Sequence, residues 1–342
     1  MDLRTRFQQE LPNCFFLENS IAPVASYLAQ QNWLQADEVL QQLEKPGEGN
    51  MNFVLRAITN QRSFILKQAR PWVEKFPQID APVERVAVEA QFFQSLAAIP
   101  TISQYAPTCL GFDAQSHILY IEDLGEGVDY GFLYQKNQVL STSALASLIQ
   151  YLTVLHQIEP PADFPENLAM RQLNHEHIFN FPYSVDNGFN LDDVQEGLQT
   201  AAMPYKTDAV LKAKIKTYGE LYLTKGQHLL HGDFYPGSWL ATPNGLKVID
   251  PEFGFVGPAE FDLGVLLAHL YISQQSEATI QSVVSEYQKV LPLRESVLAV
   301  FTGIEILRRL IGIAQLPLSL ELSEKKGLME QARAWILEER FS

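Results

Sequence analysis

The sequence predicts an α+β protein of two lobes, a small lobe with an antiparallel sheet followed by a larger, mainly helical lobe. The chain has 342 residues, more than the ~100–200 residues of a typical single domain. Short apolar segments separated by turn residues fill the chain up to Ile121, whereas helical spacing dominates beyond Ser141. The run DLGEG at 123–127 interrupts both patterns, so we predict one lobe at 1–123 and the other at 124–342.

The elements of the first lobe follow from local sequence signals. Two apolar segments joined across Asn60 and Gln61 predict an antiparallel hairpin. A helix is expected between Pro82 and Pro100, because proline favours the start of a helix and often follows its end. In chain order, the predicted elements are a helix at 21–31, strands at 39–45, 53–59 and 63–68, a helix at 83–97, and strands at 108–112 and 117–121. The five strands are expected to form one sheet.

The second lobe is predicted to be helical apart from short strands at 229–230 and 246–249. Its longest apolar run, at 263–272, contains His269 and falls short of the ~20 residues that span a bilayer. We therefore expect a buried core helix there. The N-terminal residues contain no apolar run typical of a secretory signal.

The composition excludes several classes of protein. A hydrophobic fraction of 46% indicates a folded core, and a net charge of −15 argues against binding to nucleic acid or anionic membranes. Two distant cysteines, Cys14 and Cys109, give neither a disulfide framework nor a metal-binding spacing. These features lead us to expect a cytoplasmic protein.

Two acidic segments in the second lobe indicate chemistry. The first is HGD at 231–233, and the second is DPE at 250–252, which places Asp250 17 positions after Asp233. Phosphoryl transfer needs one carboxylate to accept the proton of the attacking hydroxyl and others to hold Mg²⁺. Asp233 is therefore the candidate base, and Asp250 and Glu252, on an expected extended segment, are candidate Mg²⁺ ligands. Either segment alone could be only a turn or a cap.

The first lobe contains candidate nucleotide-binding residues. GEGN at 47–50 lies between two predicted strands, where glycine lets backbone N–H groups approach phosphate, although most such loops are only hairpin loops. Lys67 ends an apolar strand and could pair with Glu89 on the next helix. That pairing positions the α- and β-phosphates in kinases. The alternative for both residues is an ordinary solvated position.

In this order, the motifs resemble those of the aminoglycoside phosphotransferase and choline kinase superfamily and, within it, most closely the 5-methylthioribose kinase family. The similar segments are GEGNMN at 47–52, KQARPWV at 67–73, NHEHIFNFPY at 174–183, HGDFYPGS at 231–238, DPEFGFVGP at 250–258 and FDLG at 261–264. The resemblance implies a bilobal protein-kinase-like fold. It also implies ATP-dependent phosphorylation of a small hydroxyl compound, the C1 hydroxyl of 5-methylthioribose, with Mg²⁺ as cofactor.

The resemblance further implies a role for each matching residue. Asp233 corresponds to the base that also binds the acceptor hydroxyl, and Asp250 and Glu252 correspond to the Mg²⁺ ligands. The implied ATP-binding positions are the loop residues Gly47, Gly49 and Asn50, the phosphate-binding Lys67 with its partner Glu89, and the interlobe residues Glu122 and Leu124, whose backbone would contact adenine.

Two adjacent arginines lie in an apolar helical stretch at 300–315. Arg309 follows Glu305 by four positions, so an ordinary helical ion pair explains it equally well. Arg308 falls among apolar positions, where a charge needs a partner. In the 5-methylthioribose kinase family a corresponding pair reaches the active site. The resemblance therefore implies that both are catalytic and that Arg308, the better candidate by periodicity, also binds substrate.

Two segments depart from that family, at 74–77 and 174–177. Either the acceptor differs from methylthioribose or these are changes away from the substrate. One alternative is therefore a related phosphotransferase for an aminoglycoside, a choline-like alcohol or another sugar; another is a catalytically silent nucleotide-binding protein. A metal pair formed by His175 and His177 is disfavoured, because no third ligand lies nearby in the sequence. The family tendency suggests a homodimer.

Overall fold

The computed structural model describes residues 2–47 and 51–341, which form two compact units. Unit 1 comprises the chain up to Gly127 together with Ile249–Phe253, and unit 2 comprises Val128–Val248 and the chain from Gly254 onward. The segment Ile249–Phe253 thus differs from the predicted division, which placed it in the second lobe. The reason is that its carboxylates bind side chains of unit 1: Asp250 pairs with Lys67, and Glu252 with Asn52.

Unit 1 is built around a five-stranded antiparallel sheet with the order β1-β2-β3-β7-β6. Alternate residues of β2 are buried, as expected of a strand that packs one face on a core. The helices are α1 (Leu3–Glu10), α2 (Ile21–Gln30), α3 (Arg85–Ala97) and α4 (Pro100–Ser103). The strands are β1 (Leu40–Glu44), β2 (Phe53–Thr59), β3 (Ser63–Gln68), β4 (Trp72–Val73), β5 (Phe76–Asp80), β6 (Cys109–Asp113) and β7 (Ile118–Glu122).

The sequence located most of these elements. The hairpin of β2 and β3 has the predicted bounds, and the other predicted strands and both predicted helices lie within two residues of the observed ones. The small β4–β5 hairpin was not predicted, because the two residues of β4 are too few to show a period and no residue of β5 is buried. Cys14 and Cys109 are both free thiols.

Unit 2 is mainly helical. Its helices are α5 (Thr142–Leu155), α6 (Leu168–His175), α7 (Leu198–Thr207), α8 (Ala209–Leu223), α9 (Glu260–Ile272), α10 (Glu277–Gln288), α11 (Glu295–Ile311) and α12 (Leu322–Glu338). Its short strands are β8 (Val128–Asp129), β9 (His228–Leu230), β10 (Trp239–Thr242), β11 (Gly245–Val248) and β12 (Phe255–Gly257). β10 pairs with both β11 and β8, and β9 pairs with β12.

The core of unit 2 surrounds α11, which packs against α9 and α12. Both α9 and α11 are buried over nearly their whole length, so the predicted core helix at 263–272 is confirmed. Polar residues on these two helices therefore need partners inside the unit. None of the helices in the described ranges has the length and apolar character needed to span a bilayer.

Candidate active site

Lys67 lies at the centre of a cluster in unit 1 that also contains Glu89, Asp250, Glu252 and Arg85, named here the lysine cluster. Lys67 is carried by β3 and is only 4% exposed. Its Nζ lies 2.7 Å from Oε2 of Glu89 on α3 and 2.7 Å from Oδ1 of Asp250. The structure thus forms the predicted lysine–glutamate pair and adds Asp250 to it.

Asp250 reaches this cluster through an unusual backbone conformation. Its φ is +63°, in the left-handed region that L-residues rarely adopt, and the next residues, Pro251–Phe253, form a turn of 3₁₀-helix. The expectation of an extended segment with both carboxylates on one face is therefore wrong. The turn instead brings Asp250 and Glu252 to the same cluster from a bent backbone, and about half of the Asp250 side chain stays exposed (49%). Strain of this kind is found preferentially at functional sites.

Glu252 is held by two residues that the sequence analysis did not identify. Its Oε2 accepts a hydrogen bond from Nδ2 of Asn52 at 2.7 Å and lies 3.4 Å from Nε of Arg85. The guanidinium of Arg85 is fully buried and also donates to the backbone carbonyls of Arg70, Pro82 and Met51. Arg85 thereby joins Glu252 to the chain that follows the glycine-rich loop. In the sequence, the feature that could have identified Arg85 is its position one helical turn before Glu89.

The lysine cluster holds three carboxyl groups against two cationic side chains, Lys67 and Arg85. Burial alone would lower the pKa of Lys67, but Asp250, Glu89 and Glu252 outweigh it and raise that pKa above its ordinary value. Burial raises the pKa of Glu89 to about 8, against the lowering effect of Lys67. The surplus of hard oxygen ligands is the donor chemistry that suits a magnesium ion.

The remaining candidate ATP-binding residues lie at the edges of unit 1. Gly47 is an exposed bend where an added Cβ would meet nothing within 4 Å, whereas Gly49 and Asn50 lie outside the described residues. Glu122 ends β7, and its side chain accepts hydrogen bonds from the backbone N–H and hydroxyl of Thr108. Leu124 follows it and is half-buried. The adenine-binding role of these two residues stays a prediction.

In unit 2 the HGD segment follows β9 and is fixed by a buried aspartate. Asp262, at the start of α9, has no exposed surface and accepts hydrogen bonds from the backbone N–H groups of His231 (2.6 Å) and Gly232 (2.9 Å). Gly232 has a φ of +82°, so a residue without Cβ suits the turn. Asp262 belongs to the FDLG segment, which carried the family resemblance but no assigned role. Through these two hydrogen bonds, Asp262 holds the loop that carries Asp233.

Asp233 faces the twin arginines of α11. Its Oδ1 accepts a hydrogen bond from Nη2 of Arg309 at 3.2 Å and lies 3.7 Å from Nη1 of Arg308. Both guanidinium groups are buried, and both also bind Glu305. The helical ion pair offered as the alternative for Arg309 is thus present, and it coexists with the contact to Asp233. Periodicity ranked Arg308 first, yet Arg309 lies closer to the candidate base.

The segment at 174–177 also contacts these arginines. Oδ1 of Asn174 accepts a hydrogen bond from Nη2 of Arg308 at 3.4 Å. The next residues, Glu176–Asn180, form a turn of π-helix, a rare geometry often found at functional sites. Within residues 2–47 and 51–341, the buried Nδ1 of His177 has no hydrogen-bond partner. In the same ranges, no three or more His, Cys, Asp or Glu side chains are grouped so that they could hold a metal ion.

Comparison with known proteins agrees with these motifs. Residues 51–298 match the sequence model of the phosphotransferase enzyme family. The chain belongs to that family. The match includes Lys67, Glu89, Asp233 and Asp250, and it ends within α11 before the twin arginines.

Two named proteins are similar in sequence to about two thirds of this chain. Methylthioribose kinase 2 of Oryza sativa subsp. japonica is 30% identical over 69% of this chain and 58% of its own length. Methylthioribose kinase of Bacillus cereus (strain AH187) is 28% identical over 67% of this chain and 60% of its own length. The chain thus spans about three fifths of the length of these relatives.

A solved structure supports the fold. Choline kinase from Streptococcus pneumoniae superposes with a TM-score of 0.50 over 92% of this chain and 98% of its own, at 14% identity. That likeness concerns the fold alone. Together with the antiparallel sheet of unit 1 and the helices of unit 2, it confirms the predicted protein-kinase-like fold class, and the family match confirms the predicted resemblance.

Proposed function

We propose that this protein is an ATP-dependent kinase of a small sugar, which transfers the γ-phosphoryl group of ATP to the C1 hydroxyl of 5-methylthioribose. The observation that carries the proposal is the contact of Asp233 with two buried arginines. A carboxylate on a fixed loop, with two guanidinium groups beside it, can accept a proton while those groups stabilise negative charge on a phosphoryl group. The similarity to methylthioribose kinases supports the choice of acceptor.

Asp233 acts as the base in this proposal. Its carboxylate accepts the proton of the C1 hydroxyl, the hydroxyl oxygen forms a bond to the γ-phosphorus, and the bond from that phosphorus to the β–γ bridging oxygen breaks. ADP leaves with the electron pair of that bond. Arg308 and Arg309 offset the charge that develops on the transferred group, and Asp262 keeps Asp233 in place by holding the preceding backbone N–H groups.

The lysine cluster binds the nucleotide phosphates in this proposal. Lys67, held by Glu89, would contact phosphate oxygens, as the corresponding lysine of kinases does. The half-exposed Asp250 and the anchored Glu252 would hold Mg²⁺, which neutralises phosphate charge when it is bound. Arg85 and Asn52 fix Glu252 from behind.

A cationic acceptor is the second candidate, and the net charge of −15 is the observation that favours it. The surroundings of Asp233 favour a neutral acceptor instead. The carboxylate that would attract a cation is already paired with Arg308 and Arg309, so an ammonium group placed there would meet two guanidinium charges. We therefore rank the sugar above choline-like or aminoglycoside acceptors.

The test is ADP release from Mg-ATP with methylthioribose, ribose, choline, homoserine and kanamycin as acceptors. We expect turnover to be fastest with methylthioribose, and a product whose anomeric proton couples to phosphorus. A general base contributes roughly 10²–10⁴-fold, so Asp233→Ala should lower turnover by a factor of that order while fluorescent ATP analogues still bind. Turnover with another acceptor only would show that the protein is a kinase whose substrate is not methylthioribose. Binding without turnover would favour the silent alternative.

A further inference from the structure

The two arginines beside Asp233 share a second carboxylate, Glu305, on the same helix. Glu305 lies three and four residues before them, so all three side chains project from one face of α11. Oε1 of Glu305 accepts from Nε of Arg309 at 2.6 Å, and Oε2 accepts from Nη1 of Arg308 at 3.0 Å. The corresponding distances to Asp233 are 3.2 and 3.7 Å. Each arginine is thus bound more closely to Glu305 than to the candidate base.

Glu305 is itself held from the side by the neighbouring helix. Nε2 of His269 on α9 lies 3.3 Å from Oε1 of Glu305, and its Nδ1 lies 2.7 Å from the hydroxyl of Tyr134. Because a carboxylate accepts only, His269 carries its proton on Nε2, and its Nδ1 accepts from Tyr134. Glu305 and His269 are 2% and 0% exposed. Such burial leaves Glu305 little freedom to follow a substrate.

The attachment of Arg309 leaves its outer atoms available. Arg309 binds Glu305 through Nε, the atom closest to the backbone, and reaches Asp233 through Nη2 at the far end. Its guanidinium lies 4.7 Å from the ring centre of Tyr235, which fixes the plane of the group. A guanidinium held at Nε can exchange what its outer nitrogens bind without moving its anchor.

We propose that Glu305, supported by His269 and Tyr134, is a positioning residue that anchors Arg309 through Nε and Arg308 through Nη1, so that the outer Nη2 of Arg309 can exchange Asp233 for substrate oxygens. Asp233 is the exchangeable partner and Glu305 the permanent one. Binding of the acceptor or of the transferred phosphoryl group then frees Asp233 to accept the hydroxyl proton. This inference rests on the proposed function, since it assigns Arg308 and Arg309 to that reaction.

The kinetic test uses Glu305→Asp, which keeps the charge but withdraws the carboxylate by one methylene group. We expect kcat with methylthioribose to fall about 100-fold, as for reacting groups misplaced by ~1 Å, while the KM for ATP and the melting temperature stay near wild type. Glu295→Gln, at the exposed start of the same helix, is the matched control and should behave as wild type. A wild-type kcat for Glu305→Asp would overturn the proposal.

A spectroscopic test does not depend on turnover. In protein labelled with ¹⁵N-arginine, the Nε–H signal of Arg309, assigned from Arg309→Lys, should be slow to exchange and shifted downfield by its carboxylate partner. We expect the signal to persist in Asp233→Asn and to lose that shift in Glu305→Gln. The reverse pattern would show that Asp233 is the anchor and would overturn the proposal.

The two experiments also separate this inference from the proposed function. If wild-type protein phosphorylates no acceptor but the Arg309 signal depends on Glu305, the anchor is present and the assigned reaction is wrong. If wild-type protein phosphorylates methylthioribose but neither kcat nor the Arg309 signal responds to Glu305 substitutions, the reaction stands and the anchor is wrong.

Discussion

Lys67 and His269 show how burial gives a single titratable residue its role. Lys67 is surrounded by three carboxylates, and its ammonium group offsets the repulsion between them. His269 has no exposed surface, and burial lowers its pKa to about 4, so the imidazole stays neutral at physiological pH. Each residue can be tested by a substitution that removes one property and leaves the fold.

Lys67→Met should remove the cation of the lysine cluster while keeping a side chain of similar length. The carboxylates of Glu89 and Asp250 then have no ammonium group to bind, and the nucleotide phosphates lose the ammonium group proposed to contact them. We expect kcat to fall about 100-fold and the KM for ATP to rise, both measured by ADP release. Lys75→Met, at an exposed position after β4, is the control and should change neither value. If Lys67→Met had wild-type kinetics, Lys67 would have no role in binding the nucleotide phosphates.

His269→Gln should make the pH dependence of stability shallower. The unfolded chain binds a proton at this imidazole near pH 6.5, but the folded protein only near pH 4, so acidification between these values favours unfolding. The difference amounts to about 3 kcal/mol of unfolding free energy lost over that window. The groups that face His269 are Glu305, Arg309, Asp233 and Tyr134.

The measurement is urea unfolding at several pH values from 7 to 4. In wild type, the free energy of unfolding should fall as the pH is lowered, and the variant should lose the part that belongs to His269. Tyr134→Phe is the control, because it removes the hydrogen bond to Nδ1 but leaves the imidazole buried. Its free energy of unfolding should therefore keep the wild-type dependence on pH. Equal slopes for wild type and His269→Gln would show that this histidine does not titrate differently on folding.

At the scale of elements, the start of α9 positions the loop that follows β9. Asp262→Asn replaces a carboxylate that accepts two backbone N–H groups with an amide that can accept through one oxygen only. The buried NH₂ group then faces a donor, so we expect about 2 kcal/mol of destabilisation together with a lower kcat. Urea unfolding and ADP release measure the two effects. Asp186→Asn, at an exposed position, should change neither, and an unaltered kcat in Asp262→Asn would show that the loop does not need this anchor.

The sequence was most informative where an element is long and regular. The β2–β3 hairpin, α3 and the burial of α9 were predictable because turn residues, flanking prolines and a continuous apolar run are local signals. The backbone of Asp250 was not predictable in this way. Its left-handed conformation and the following 3₁₀ turn accompany contacts of Asp250 with Lys67 and of Glu252 with Arg85, which are distant in the sequence.

The candidate site was predictable where a motif names a residue, but the residues behind it were not. Asp233 and Lys67 stand in recognisable segments, Glu89 was proposed as the helix partner of Lys67, and the structure brings Lys67 and Glu89 together. Arg85, Asp262 and His269 were missed as supporting residues, because their partners are set by tertiary packing. Glu305 was visible from its spacing to Arg309, but spacing alone gave it no role beyond a helical ion pair.

At the scale of the whole molecule, ligand binding should appear as added stability. A ligand at 100 times its Kd stabilises the folded state by about 2.7 kcal/mol, which corresponds to roughly 4 °C in melting temperature for a protein of this size. We expect this shift with Mg-ATP and a much smaller one with ATP and a chelator, because the carboxylates of Asp250 and Glu252 repel phosphate without a divalent cation. Thermal denaturation followed by circular dichroism measures both.

Asp250→Asn should abolish the difference between Mg-ATP and chelated ATP, because it removes the half-exposed carboxylate of the lysine cluster. Glu126→Gln, an exposed carboxylate of unit 1, should keep the full difference. An equal shift with and without the metal in wild type would contradict the assignment of Asp250 and Glu252 as Mg²⁺ ligands. A metal-dependent shift in a protein that phosphorylates no acceptor would instead identify a nucleotide-binding member of the family without kinase activity.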